Sequence, residues 1–130
     1  MTESPTRILL AEDDRFLRRA AEATLKQLGY TVIAAVDGEE TLRLARAEKP
    51  DLILLDLIMP KIQGFEVLRQ LKQDPATRAI PVVVLSNLSQ DSDTKQAEAL
   101  GAAGYLIKAN LSLAELSKRV NELVQRTRIA

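Results

Sequence analysis

The sequence predicts a doubly wound α/β domain, (β/α)5, in which a five-stranded parallel sheet carries helices on both faces. Three observations predict it. Short apolar runs at residues 8–11, 52–55, 82–85 and 105–107 are rich in Ile, Leu and Val, as strands buried on both faces are. These runs alternate with segments of helical periodicity, a strict βα order that repeats about five times. Each run also stops at a polar or charged residue: Glu12-Asp13-Asp14, Asp56, Ser86-Asn87 and Lys108. Parallel strands end on one edge of their sheet, and ligands bind open α/β sheets at that edge, so the four stops converge on a site.

The run at 8–11 is the first strand. Phe16, Leu17, Ala20, Ala21, Thr24, Leu25 and Leu28 then recur at helical spacing, and Gly29 follows where a C-terminal glycine stops a helix. Residues 31–36 form the second strand, Asp37-Gly38 a turn, and residues 39–47 a short helix with Leu42, Leu44 and Ala45 on its apolar side. Pro50-Asp51 leads into the third strand. The stretch Met59-Pro60-Lys61-Ile62-Gln63-Gly64 is a loop, because proline disfavours helix in the residue before it and glycine admits unusual backbone angles. Phe65, Leu68 and Leu71 mark the third helix, which Asp74-Pro75 breaks. Pro81 introduces the fourth strand, residues 91–100 carry a weaker helical pattern ending at Gly101, and Gly104 opens the fifth strand. Leu113, Leu116, Val120, Leu123 and Val124 share one face of the closing helix, and Ser112 with Glu115 three residues on has the spacing of a capping box.

A chain of 130 residues suits one domain, whose core needs no disulfide or metal staple. We divide it into a flexible N-terminus (1–6), the domain (7–125) and a C-terminal tail or start of a linker (126–130). With 18 basic and 18 acidic residues, net charge directs the chain neither to nucleic acid nor to an anionic membrane. The locally basic stretch 118–128 reads as a solvated helix end, which favours Lys and Arg through the helix dipole. Cysteine and histidine are absent, which excludes a disulfide framework, a thiolate nucleophile, a Ser-His pair and the usual zinc ligands. The apolar run after the polar start is too short for a signal peptide or a membrane span, so a cytoplasmic location is expected.

A carboxylate at a strand end is common, and Asp56 alone reads equally as a turn or cap residue. Its company changes that. Two like charges about 4 Å apart repel by roughly 4 kcal/mol at an effective dielectric of about 20, so Glu12, Asp13 and Asp56 need compensation where they meet. A divalent cation supplies it, and an all-oxygen set of carboxylates, a carbonyl and waters suits magnesium, which also binds phosphate. Lys108 alone reads as a counter-ion for the cluster. Together with the Ser86 hydroxyl and a metal, it completes the parts needed to hold a transferring phosphoryl group, with Asp56 as the nucleophile that becomes an aspartyl phosphate.

In these residues the chain resembles the receiver domains of two-component response regulators, over roughly residues 7–124. Glu12-Asp13 is similar to the family's acidic metal-binding pair. Asp56, followed by Leu57-Ile58-Met59-Pro60 and then Gly64, resembles the phosphoacceptor and its loop. Ser86 matches the Ser/Thr that ends the fourth strand, and Tyr105 and Lys108 match the switch aromatic and the lysine of the fifth. The resemblance implies the flavodoxin-like strand order 2-1-3-4-5. It implies magnesium ligated directly by Asp13 and Asp56, through water by Glu12, and by the backbone carbonyl of Ile58. It further implies a phosphorelay switch that takes a phosphoryl group onto Asp56 from the phosphohistidine of a histidine kinase or histidine phosphotransfer protein. Ser86 and Lys108 would then bond the phosphate and Tyr105 would follow inward, reporting through the last strand and last two helices. On sequence alone, Tyr105 reads equally as an aromatic half-exposed on an edge strand.

Such a chain is a switch and not an enzyme, assisting only its own phosphorylation and dephosphorylation. No direct nucleic-acid or membrane contact is expected, and the chain is expected to be a monomer or weak homodimer; its effector is not legible. Three departures from the family pattern stand out. Ala109 follows Lys108 where the family has a proline, usually after a cis bond; cis costs about 2.5–4 kcal/mol without proline. Ile58 and Leu88, two residues past Asp56 and Ser86, are apolar where the family varies side chains that help or hinder the hydrolytic water, so a long-lived phosphoryl form is expected. Residues 101–105 lack the acids that DNA-binding relatives often carry for dimer salt bridges.

Other classes fit less well. A phosphatase of the haloacid dehalogenase type, the aspartyl-phosphate phosphohydrolase alternative, requires a second acid where Ile58 stands. A flavodoxin-like flavin carrier needs a Ser/Thr/Gly-rich loop where Glu12-Asp13-Asp14 would repel phosphate. A degenerate receiver is opposed by Glu12, Asp13, Asp56, Ser86 and Lys108 together. A stand-alone receiver is expected, a domain excised from a longer regulator being the alternative. Partner specificity is assigned to surface residues such as Arg15, Arg18 and Arg19.

Overall fold

A computed structural model of the chain describes residues 5–129. Its elements are β1 (Arg7–Ala11), α1 (Arg15–Gln27), β2 (Thr31–Ala35), α2 (Gly38–Glu48), β3 (Leu52–Leu55), α3 (Gly64–Gln73), β4 (Val82–Ser86), α4 (Asp91–Ala99), β5 (Gly104–Ile107) and α5 (Leu113–Ile129), with a 3-10 turn at Lys108–Asn110. The strands form one parallel sheet in the order β2-β1-β3-β4-β5, as expected.

Alternation along each strand divides the core in two. Leu9, Ile53, Leu55, Val82 and Val84 face a cluster closed by Leu42 and Ala45 of α2, Val67, Leu68 and Leu71 of α3, and Ala97 of α4. Ile8, Leu10, Leu52, Leu54, Val83 and Leu85 face another, closed by Ala21 and Leu25 of α1 and Leu116, Val120 and Val124 of α5. The helices therefore cover both faces, which is why β3 and β4 are apolar at nearly every position.

The helix starts follow side-chain chemistry. Leu17 N–H donates to Asp14 Oδ1 at 3.1 Å, and Glu40 N–H to Asp37 Oδ1 at 2.7 Å. The Ser112–Glu115 capping box forms: Glu115 N–H donates to Ser112 Oγ at 3.1 Å and Ser112 N–H to Glu115 Oε1 at 3.4 Å. At the other end α5 continues through residues 126–129, where a tail is expected from sequence; no glycine or proline follows Val124 to stop the helix. Residues 1–4 and Ala130 lie outside the described residues, and with them most of the expected flexible N-terminus. Among the described residues no helix is long and apolar enough to cross a membrane.

The first helix departs from its expected face. Phe16 is 86% exposed and Leu28 49%. The buried stripe runs through half-buried Leu17, then Ala21 and Leu25, spaced four residues apart; Phe16 lies about 100° off that stripe and Leu28 falls on the C-cap. Leu54→Ala should cost about 2–5 kcal/mol in urea unfolding. Phe16→Ser should stay within about 0.5 kcal/mol of wild type. Comparable losses from the two would place Phe16 in the core.

Candidate functional site

The register brings the strand ends level. Ala11 pairs with Ala35 and Leu55, and Ser86 with Ile107. Beyond them, Glu12 N–H donates to the Ala35 carbonyl and Asp56 N–H to the Ala11 carbonyl, each at 3.0 Å, so the two acids sit side by side just past the sheet. Glu12 and Asp56 are buried and Asp13 is exposed; one carboxylate oxygen from each lies within 4.8 Å of the others.

Lys108, from the end of β5, reaches both buried acids. Its Nζ donates to Asp56 Oδ2 at 2.9 Å and forms an ion pair with Glu12 Oε1. The backbone holds the remaining oxygens: Ile58 N–H donates to Asp56 Oδ1 and Asp14 N–H to Glu12 Oε2, each at 3.1 Å. Glu12 Oε1 has no aligned hydrogen bond besides that ion pair. Burial pushes the Glu12 carboxyl above the usual carboxylate range, partly offset by Lys108 and the Asp14 N–H, and the charge of Asp56 adds to the rise. Burial alone would lower the Lys108 ammonium, but its bonds to Glu12 and Asp56 outweigh that and hold it above the ordinary lysine value.

Three carboxylates meet a single ammonium, so the cluster is short of positive charge, which a divalent cation can supply. The donors are all oxygen, and the exposed Asp13 leaves the cluster open to water on one side, so the set fits a hard cation.

Ser86 is fully buried at the end of β4, and its Oγ accepts from Leu88 N–H at 3.3 Å. The half-buried Tyr105 donates its hydroxyl to the Leu88 carbonyl at 2.5 Å. Burial, then the charges of Asp93 and Asp56, raise the pKa of that hydroxyl. Leu88 thus joins Ser86 to Tyr105 through its own backbone, a link with no signature in its side-chain identity. Lys108 and Ala109 open the 3-10 turn, and no peptide bond among the described residues is cis. Arg18, assigned to partner recognition from sequence, also donates from Nη1 to the carbonyls of Glu12 at 3.0 Å and Asp13 at 3.2 Å and fastens the loop after β1.

In metal-free protein, Lys108→Ala should cost about 3 kcal/mol, because it leaves buried carboxylates without their cation. Asp56→Asn in the same chain should recover part of that loss. A urea double-mutant cycle measures the coupling, and strictly additive losses would show that the ammonium does not act on Asp56.

Comparison with known proteins agrees with this geometry. The family model described as "Response regulator receiver domain" matches residues 8–121. The protein PilH of Pseudomonas aeruginosa is 38% identical over 102 residues, 78% of this chain and 84% of that protein. The solved receiver domain of the Francisella response regulator 1452 is 30% identical with a TM-score of 0.85, covering 94% of this chain and 98% of that one. The Mn(2+)-bound form of response regulator Rcp1 is 34% identical with a TM-score of 0.79, covering 92% and 91%. The chain spans between 16% and about half of the length of the first curated relatives it matches. The strand order, the acid cluster and these likenesses agree: the chain belongs to the response regulator receiver domain family, the phosphorelay switch domains of two-component systems.

Proposed function

We propose that this chain accepts a phosphoryl group on Asp56 from the phosphohistidine of a histidine kinase or histidine phosphotransfer protein, with magnesium bound beside it. The observation that carries this reading is the meeting of Asp56 with Glu12, Asp13 and Lys108 at the carboxyl edge of the sheet. Asp13 and Asp56 would ligate the cation directly, Glu12 through water, and Ile58 through its carbonyl. The Mn(2+)-bound Rcp1 relative supports a divalent ion. Bound there, the metal neutralises phosphoryl oxygens as charge shifts. In the transfer, an Asp56 oxygen forms a bond to phosphorus while the bond from phosphorus to the donor's imidazole nitrogen breaks, its electron pair returning to that nitrogen. The chain catalyses no reaction on other substrates. Such donors belong to two-component signalling, which fits a cytoplasmic location.

Lys108 would then move from Asp56 Oδ2 to the phosphate, and Ser86, still accepting from Leu88 N–H, would donate its own hydroxyl proton to a phosphate oxygen. Both Ser86 and Tyr105 bond Leu88, so drawing the loop after β4 inward carries the aromatic with it. A charge-assisted bond is worth about 1.5–3 kcal/mol and a neutral one about 1, together roughly 2.5–4. Shifting a two-state equilibrium from 1:99 to 99:1 takes about 5.5 kcal/mol, so the phosphorylated population is mostly, not fully, switched.

Incubation with magnesium and a small-molecule phosphodonor should add one phosphate by intact mass. The adduct should be absent from Asp56→Asn and from protein in a chelator. Equal adducts on wild type and Asp56→Asn would refute the assignment. The exposed Ile58 and half-buried Leu88 cannot orient water by hydrogen bonding, so the adduct should persist and a polar residue at Leu88 should shorten its life. Rapid loss that Leu88→Glu leaves unchanged would count against that role.

A further inference from the structure

The loop after Asp56 is gripped at two points by glycines. A Cβ on Gly64 would lie 2.3 Å from Leu57 Cα and 2.8 Å from the Asp56 carbonyl oxygen. A Cβ on Gly38, the first residue of α2, would lie 2.4 Å from the Ile62 carbonyl oxygen and 2.7 Å from Ile62 Cβ. Gly38 N–H also donates to the Pro60 carbonyl at 3.2 Å. Its neighbour Asp37 pairs through Oδ2 with Lys61 Nζ at 3.5 Å, and Lys61 holds a left-handed φ of 72° without being glycine. The start of α2 is therefore closed on Pro60, Lys61 and Ile62 by a hydrogen bond, an ion pair and a contact that admits no side chain.

We infer that Gly38 is a positioning residue for the cation site: it lets α2 clamp the loop after β3 and so fixes the backbone of Ile58. This rests on the reading of Glu12, Asp13 and Asp56 as a magnesium site. Ile58 N–H holds Asp56 Oδ1, and its carbonyl is the backbone ligand in that reading. A methyl at Gly38 meets a backbone oxygen and a Cβ, neither of which a rotamer change can move. Thr41, Leu42 and Ala45 anchor α2 in the core, so the irregular loop is the part that yields. Asp37 also caps α2 through Glu40 N–H, and that bond first, then Lys61, holds its carboxyl below the usual range, so it is ionised at neutral pH and available to Lys61.

Calorimetric titration of magnesium chloride into the metal-free chain, with urea stability measured alongside, tests the clamp. Gly38→Ala should weaken magnesium by about tenfold. Gly29→Ala is strained at φ 92° with nothing near its Cβ, so it should lose stability yet bind magnesium like wild type. Lys61→Glu, at an exposed position, separates clamp from charge: an added carboxylate alone strengthens cation binding, whereas repulsion from Asp37 loosens the loop and should weaken it. Wild-type affinity in Gly38→Ala, an equal loss in Gly29→Ala, or tighter binding by Lys61→Glu would overturn the inference. If Gly38→Ala does not fold, Lys61→Glu decides. Failure of wild type to bind magnesium would instead overturn the cation reading beneath it.

Discussion

The Lys108 ammonium, lodged between Glu12 and Asp56, is the interaction on which the carboxyl edge of the sheet depends. It leaves from β5 and ends on acids that follow β1 and β3, so it crosses the end of β4 on the way. Strands lie about 4.8 Å apart, which puts β5 roughly 10 Å from β3 and demands a long side chain. The residue at that end of β4, Ser86, is small and fully buried. A buried carboxylate without a partner is expensive, so the same reach that serves a phosphate in the proposed switch also makes the metal-free edge foldable. One ammonium still cannot balance three acids, and that residual charge invites a cation.

Most of this geometry was legible because parallel sheets write themselves plainly into sequence. An apolar run buried on both faces ends where burial ends, so Glu12, Asp56, Ser86 and Lys108 mark the sheet edge by their polarity alone. Spacing is a weaker guide on a helix. Phe16 belongs by composition with the apolar residues of α1, yet one position of angular offset turns it to solvent. The contacts made by backbone atoms left no trace: Arg18 on the carbonyls of Glu12 and Asp13, Tyr105 on the carbonyl of Leu88, and Gly38 on the carbonyl of Pro60 each involve an acceptor that every residue carries. Ala109 was ambiguous for a related reason. A missing proline removes the reason for a cis bond but does not say what the loop does instead, and the observed 3-10 turn depends on how Lys108 leaves β5.

The two helices flanking the site after β3 and β4 differ in how firmly they are held, and that difference directs any displacement. α3 buries Val67, Leu68 and Leu71, each worth about 1.5–3 kcal/mol when removed from water. α4 buries only Ala97, a single methyl, and its sequence Asp-Ser-Asp-Thr-Lys-Gln-Ala-Glu-Ala offers no large apolar side chain to the sheet. A change of about 2.5–4 kcal/mol at the proposed phosphoacceptor is smaller than what α3 buries, whereas α4 has a single core methyl to lose. α4 also follows directly from the loop containing Leu88, the residue bonded to both Ser86 and Tyr105, and its Asp93 lies close enough to act on the Tyr105 hydroxyl. The softest helix is thus joined to the residues that would read the phosphate, while the stiff one carries the loop that positions Asp56. A switch built this way can move its reporting surface without disturbing the geometry that lets it be phosphorylated.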